Sequence, residues 1–232
     1  SFDGIDFAHD NGITLMITLD CGIKAVEKVK YAKEKGIDVI ICDHHRPGKE
    51  LPPAVAVLDP KQDECSYPFK ELCGCGVGFK FMQAYCIKSG RNQDEILKYV
   101  DMLAVAIGAD IVPVTGENRI LMYMGLQKIN ESPCEGLKAL LGVAGVKKEL
   151  NVTDLVFILA PRINAAGRIS HGSNAVALLT SPNPEQLEVL AKEIDSFNRE
   201  RKDLDKQITQ EALHILQTDP SYTDMQSTVV FK

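Results

Sequence analysis

Two rhythms of apolar positions run along the chain. Over the first sixty residues, short apolar runs at 13–19, 37–42 and 54–58 read as buried parallel strands. Between the first two, residues 23–35 set Val26, Val29, Tyr31 and Ala32 among lysines at helical spacing, and Gly36 supplies the stop. Strand, helix, strand in that order predicts a right-handed parallel βαβ unit. The proline-bearing link 46–53 then forms a loop at the sheet's carboxyl edge. Beyond Pro60 the pattern turns helical, with helices predicted at 77–89, 93–109, 116–131, 136–141, 152–159 and 174–180. Pro184, with Glu185 in the first turn, opens a long polar-amphipathic helix that runs to about 217. Its stretch Asn198-Arg199-Glu200-Arg201-Lys202 has little apolar cover, as expected of a connector between domains. The β-branched run 227–231 reads as the first strand of a further domain. The expected fold class is α/β: a Rossmann-like parallel sheet with flanking helices, then a helical lobe and a long connector helix.

Composition changes that picture only at the margins. A chain of 232 residues, 45% of them hydrophobic, can bury the core of one large domain or two small ones. It has no uninterrupted apolar stretch of transmembrane length, so no membrane association is expected. Ser1-Phe2-Asp3-Gly4 lacks the basic and apolar regions of a signal peptide. Seven cysteines, an odd number with Cys42 and Cys86 in apolar segments, fit a reducing cytoplasm better than a disulfide framework. The net charge of −6 weighs mildly against a nucleic-acid binder, although an acidic metal site itself adds negative charge.

The chemistry gathers where the strands end. Asp43-His44-His45 follows the second strand, at the edge where an open α/β sheet places its ligands. A neutral imidazole binds transition metals, and a neighbouring carboxylate can orient it. The first strand ends in Asp20-Cys21-Gly22, where the carboxylate can bridge two cations or cap the next helix. Asp110 closes the apolar helical stretch 102–109. An acid at a helix carboxyl end is electrostatically poor unless a cation repairs it, and a surface turn is the other reading. Downstream, Pro161-Arg162-Ile163-Asn164-Ala165-Ala166-Gly167-Arg168, followed by His171, sets two arginines and an amide among small residues. That composition suits a phosphate grip whose backbone an anion can reach, or a loop whose arginines pair with acids elsewhere. Asp3, Asp6, His9 and Asp10 resemble ligands but fall at helical spacing in a frayed, solvated position. Cys73-Gly74-Cys75 has no zinc-knuckle spacing, and no strand precedes its glycines as a dinucleotide fingerprint requires.

Taken in order, Leu19-Asp20-Cys21-Gly22, Asp43-His44-His45, Gly108-Ala109-Asp110-Ile111-Val112-Pro113 and the Arg162–Arg168 segment resemble successive motifs of the DHH phosphoesterase superfamily. The last segment and the spacing resemble its RecJ-type branch, the single-strand-specific DNA exonucleases. That resemblance implies a 5′→3′ exonuclease acting in repair and recombination on single-stranded DNA, with Mn²⁺ or Mg²⁺ in a two-metal site. It implies that Asp20 bridges the metals, and that His44 and Asp110 complete one metal's shell. His45 would face the scissile phosphate, and Asp43 would orient the imidazoles. Arg162, Asn164 and Arg168 would hold the DNA backbone near its 5′ end, with His171 beside them. A helicase or a single-strand-binding protein is an expected partner.

The pattern departs from the family at both ends. Nothing matches the family's first motif, Asp-x-Asp on the first strand, and its C-terminal Gly-Gly-His segment is not found. The chain is therefore expected to be an internal fragment with little or no activity of its own. Residues 1–183 would be a catalytic domain lacking its first strand and first motif, 184–217 the connector helix, and 218–232 the start of a truncated domain. Other superfamily chemistries remain as alternatives: a phosphodiesterase of short oligonucleotides or cyclic dinucleotides, or a non-catalytic single-strand-binding scaffold.

Overall fold

A computed structural model describes residues 1–169 and 172–218. They fall into two compact units, Ser1–Cys134 with Lys148–Ala160, and Glu135–Lys147 with the chain from Pro161 on.

In the first unit, α1 (Phe2–Asp10) leads to β1 (Leu15–Leu19), α2 (Val26–Glu34), β2 (Asp38–Cys42) and β3 (Ala56–Leu58). The three strands are parallel, in the order β1-β2-β3. Leu19 pairs with Cys42 and Cys42 with Leu58, so the strands finish level. The ladder runs one residue further. Asp20 N donates to Cys42 O at 2.9 Å and Asp43 N to Leu58 O at 3.0 Å. An acid thus follows each strand at one edge: Asp20, Asp43 and Asp59.

Both sheet faces are covered, as parallel pairing requires. Ile5 and Ala8 of α1, Val29 and Ala32 of α2, and Ile37, Val39 and Ile41 form the core on one face. Cys42, Leu72 and Val77 form the other, with Ile40, Leu58 and Phe81 against them. β1 is less covered than its apolar run predicts. Leu15, Ile17 and Leu19 are exposed, because β1 pairs on one side only among the described residues.

The amino terminus is an ordered helix where a frayed segment was expected, although Asp3, His9 and Asp10 are exposed, as a solvated face requires. Ser1 Oγ accepts from Gly4 N at 3.1 Å, capping α1. Ile5 and Ala8 bury, and Asp6 accepts from Tyr31 Oη at 2.6 Å and lies 3.3 Å from Lys35 Nζ. The apolar residues between the acids anchor the helix.

The helices then follow as α3 (Gly74–Lys88), α4 (Asp94–Leu97), α5 (Val100–Ala109) and α6 (Gly116–Glu131). The single helix expected over 93–109 is broken at Lys98 and Tyr99, where Tyr99 N bonds Ile96 O three residues back. That turn lets α5 bury Leu103, Ala104, Val105 and Ile107 against α3 and α6. Asp101, fully buried on α5, is satisfied by Cys134 N at 2.8 Å and Lys128 Nζ at 3.4 Å.

The second unit holds α7 (Glu135–Val143), α9, α10 (Gly172–Thr180) and α11 (Pro184–Thr218). Leu137, Leu140, Leu178, Leu187, Ala191 and Ile194 make its core. α8 (Val152–Asp154) begins in the first unit with a reciprocal cap between Asn151 and Asp154. A π-helical turn, Leu155–Leu159, and α9 (Ala160–Ile169) follow directly. The segment expected as a loop at 161–168 is therefore helical, and its backbone is committed to the helix instead of to an anion. Pro161 tolerates this because the wide turn surrounds Phe157, the carbonyl its ring would otherwise strike. The predicted strand at 227–231 lies outside the described residues. Among the described residues, no helix is long and apolar enough to cross a membrane.

Candidate metal centre

The carboxyl edge of the first unit's sheet brings together Asp20, Asp43, His44, His45 and Asp110. Asp20 has φ 63°, a left-handed backbone that a non-glycine residue rarely adopts and that recurs at functional sites. It turns the carboxylate toward β2. Asp110 comes from the other side as the residue that ends α5, and Ile111 after it has φ 53°.

The buried His44 lies between them. Its Nε2 is 3.1 Å from Asp20 Oδ1 and 3.2 Å from Asp110 Oδ2. Among the described residues, neither His44 nitrogen has a partner in hydrogen-bond geometry. A buried ring nitrogen that close to two carboxylate oxygens, yet misaligned with both, is placed as a metal ligand is placed. Asp20 and Asp110 each approach the same imidazole nitrogen. Hard oxygens with one imidazole nitrogen suit Mn²⁺ or Mg²⁺. Asp20, His44 and His45 each also offer a ligand atom within 4.8 Å of the others.

Asp43 sits behind this cluster, 1% exposed. Its Oδ2 accepts from Ile23 N at 2.9 Å. Its Oδ1 accepts from His44 N at 2.8 Å and His45 N at 3.2 Å, and lies 2.7 Å from His45 Nδ1. It therefore orients the ring of His45 and the backbone of His44, and does not bond the ring of His44. Burial pushes the Asp43 carboxyl up. The hydrogen bonds from Ile23 N and from His45 overcome burial and leave it below the ordinary range. The bond to Asp43 raises His45 against the opposing effect of burial. Asp20 is raised, first by burial and then by the charge of Asp110, a mutual strain that a cation between them would relieve.

Two contributors escaped sequence reasoning. A Cβ on Gly74 would overlap the Asp20 carboxylate and stand 2.6 Å from its Cα, so only glycine lets α3 start there. The Cys-Gly-Cys triplet alone carries no sign of this. Asp59, 2% exposed, ends the third strand as Asp20 and Asp43 end theirs, and that repeated pattern could have marked it.

The residues expected to grip phosphate belong to the second unit. Arg162 Nε donates to Asp195 Oδ1 at 2.9 Å, and Asp195 also holds Arg199 at 3.1 Å. Asn164 is exposed on α9. Arg168 is on the same helix, and its side chain, like the whole of His171, lies outside the described residues.

The chain is similar to known proteins in sequence and in fold. Residues 4–107 match the DHH family, N-terminal domain. The chain is 44% identical over 209 residues to the single-stranded-DNA-specific exonuclease RecJ of Bacillus subtilis, covering 90% of this chain and 26% of that protein. It is 38% identical over 220 residues to the Escherichia coli RecJ, covering 90% and 38%. It thus spans well under half the length of these relatives. Crystal structures of RecJ from Thermus thermophilus with Mn²⁺ (TM-score 0.83, 30% identity, 95% of this chain and 32% of that one) and of an exonuclease RecJ bound to manganese (0.80, 32%, 93% and 54%) superpose on it.

Proposed function

We propose that the protein is a DHH-family, metal-dependent 5′→3′ exonuclease hydrolysing phosphodiester bonds of single-stranded DNA, a reading supported by the match of residues 4–107 to the DHH family, N-terminal domain. The relatives named above are single-stranded-DNA-specific exonucleases, and the solved RecJ structures contain Mn²⁺ or Mg²⁺. One observation carries the reading: His44 Nε2, buried and without a hydrogen bond, faces one oxygen each of Asp20 and Asp110.

In this reading Asp20, His44 and Asp110 hold the divalent ion. Such an ion supplies positive charge to the phosphate oxygens and a bound water of lowered pKa. His45, fixed through Nδ1 by Asp43, presents its other nitrogen to the scissile phosphate. A ring nitrogen so presented can donate to a phosphate oxygen or a leaving group when it carries a proton. Asp43 keeps its charge at neutral pH and fixes the His44–His45 turn through three backbone bonds. Asn164, Arg162, Arg168 and His171 are the proposed contacts to the DNA backbone, with Arg162 sharing its guanidinium with Asp195. α11 is read as the connector, since past Arg201 it is largely exposed. A helicase or single-strand-binding protein would supply the strands. Seven free cysteines are consistent with a reducing cytoplasm.

The test uses the full-length protein with Mn²⁺ and a 5′-labelled single strand, its duplex, a dinucleotide series and a cyclic dinucleotide. Preferred release of nucleotides from the 5′ end of the single strand supports the reading. Turnover of the small substrates without cleavage of the long strand would overturn it.

A further inference from the structure

Resting on that reading, we infer that Asp59 is a positioning residue for the metal ligand His44, the carboxylate that accepts a hydrogen bond from His44 Nδ1. His44 can bind a cation through Nε2 only as the tautomer that carries its proton on Nδ1. Ligating histidines almost always donate that N–H in a hydrogen bond to a carboxylate, a carbonyl or water. Here Nδ1 is buried and has no partner among the described residues. One buried carboxylate oxygen is in the same condition: Asp59 Oδ2. A lone donor and a lone acceptor, both buried within one unit, complement one another, and leaving both unmade is costly.

The topology brings them to neighbouring strand ends. β2 and β3 pair Cys42 with Leu58, and Asp43 N continues the ladder onto Leu58 O. His44 and Asp59 are the residues that leave the sheet next. The other Asp59 oxygen is fixed, since Oδ1 accepts from Lys61 N at 2.8 Å and closes the turn after β3. Asp43 cannot serve instead, because its oxygens are occupied by Ile23 N, His44 N and His45.

Asp59→Ser separates this role from a structural one. Serine keeps an oxygen for Lys61 N but is too short to reach the imidazole, whereas Asp59→Asn retains an acceptor of full length. Mn²⁺ titration of the full-length protein by calorimetry, with circular dichroism as a control for folding, is expected to show affinity about 10–100-fold weaker for Asp59→Ser. Asp59→Asn should stay within a few-fold of wild type. In the Mg²⁺-bound protein, selectively labelled for ¹⁵N-histidine NMR, the His44 Nδ1 proton should show a hydrogen-bonded shift that Asp59→Ser moves. Wild-type affinity in a folded Asp59→Ser protein, or an Nδ1 proton unaffected by the change, would overturn the inference while leaving the metal site standing. Failure of the wild-type protein to bind Mn²⁺ at all would remove both.

Discussion

The strand-end cluster of the first unit and the Arg162–Arg168 segment of the second were equally polar in sequence, and they fold to opposite effect. At the sheet edge the backbone has finished its ladder, and His44 Nε2 lies 3.1 Å from Asp20 Oδ1 and 3.2 Å from Asp110 Oδ2 with no hydrogen bond to either. In α9 the arginine is partly committed to the fold: Arg162 is bonded to Asp195 on α11. A polar group just past a strand can be free of structural duties, as the His44 ring is among the described residues, or can carry them, as Asp43 does for three backbone N–H groups. The same group inside a helix between apolar neighbours such as Ala165 and Ala166, both fully buried, is held beside a core and needs a partner there. Position within the element, more than residue type, separates the two cases.

Exchanges in the first cluster should strike activity and leave the fold. His44→Ala in the full-length protein is expected to lower Mn²⁺-dependent cleavage by about a thousandfold or more, the loss of several kcal/mol of charge stabilisation. An unchanged thermal midpoint would accompany it. Asp43→Ala does both kinds of damage. It strips acceptors from Ile23 N, His44 N and His45, and should cost about 3 kcal/mol in a denaturant melt as well as activity. Arg162→Ala sharpens the contrast from the other side, with an expected stability loss of about 2 kcal/mol through Asp195. Combining it with Asp195→Ala should recover part of that loss, a coupling a double-mutant cycle reads directly. Gly74→Ala pushes on the Asp20 carboxylate and should weaken Mn²⁺ binding about tenfold, with smaller change in the melt. The smallest effect belongs to Asp6, far from either region. Tyr31 foremost, with Lys35, holds its carboxyl below the ordinary 3.8. A depressed pKa contributes stability above the unfolded value and loses it as pH falls through the folded one. Asp6→Asn should therefore flatten a slight acid-side loss of stability below about pH 4.

The βαβ unit was legible in the sequence because it obeys local rules. Apolar runs mark strands, and Asp20 and Asp43-His44-His45 follow those runs at once. The π turn was not legible, since Leu155 to Leu159 reads as ordinary helix, and only the capping pair Asn151 and Asp154 hints that the helix begins upstream of Pro161. The cover over Asp20 was hidden as well. It depends on Gly74, more than fifty residues away, and nothing local distinguishes a glycine that admits a neighbour from one that merely turns the chain. The anchoring of α1 was missed because four polar residues drew notice away from Ile5 and Ala8, which bury it.

The central claim is that Asp20, His44 and Asp110 share one cation. A crystal structure of the full-length protein soaked with Mn²⁺, with anomalous diffraction at the manganese edge, tests it most directly. The account predicts an anomalous peak bonded at once to an Asp20 oxygen, His44 Nε2 and an Asp110 oxygen. A well-occupied ion held without His44, or full nuclease activity with no ion at that edge, would contradict it.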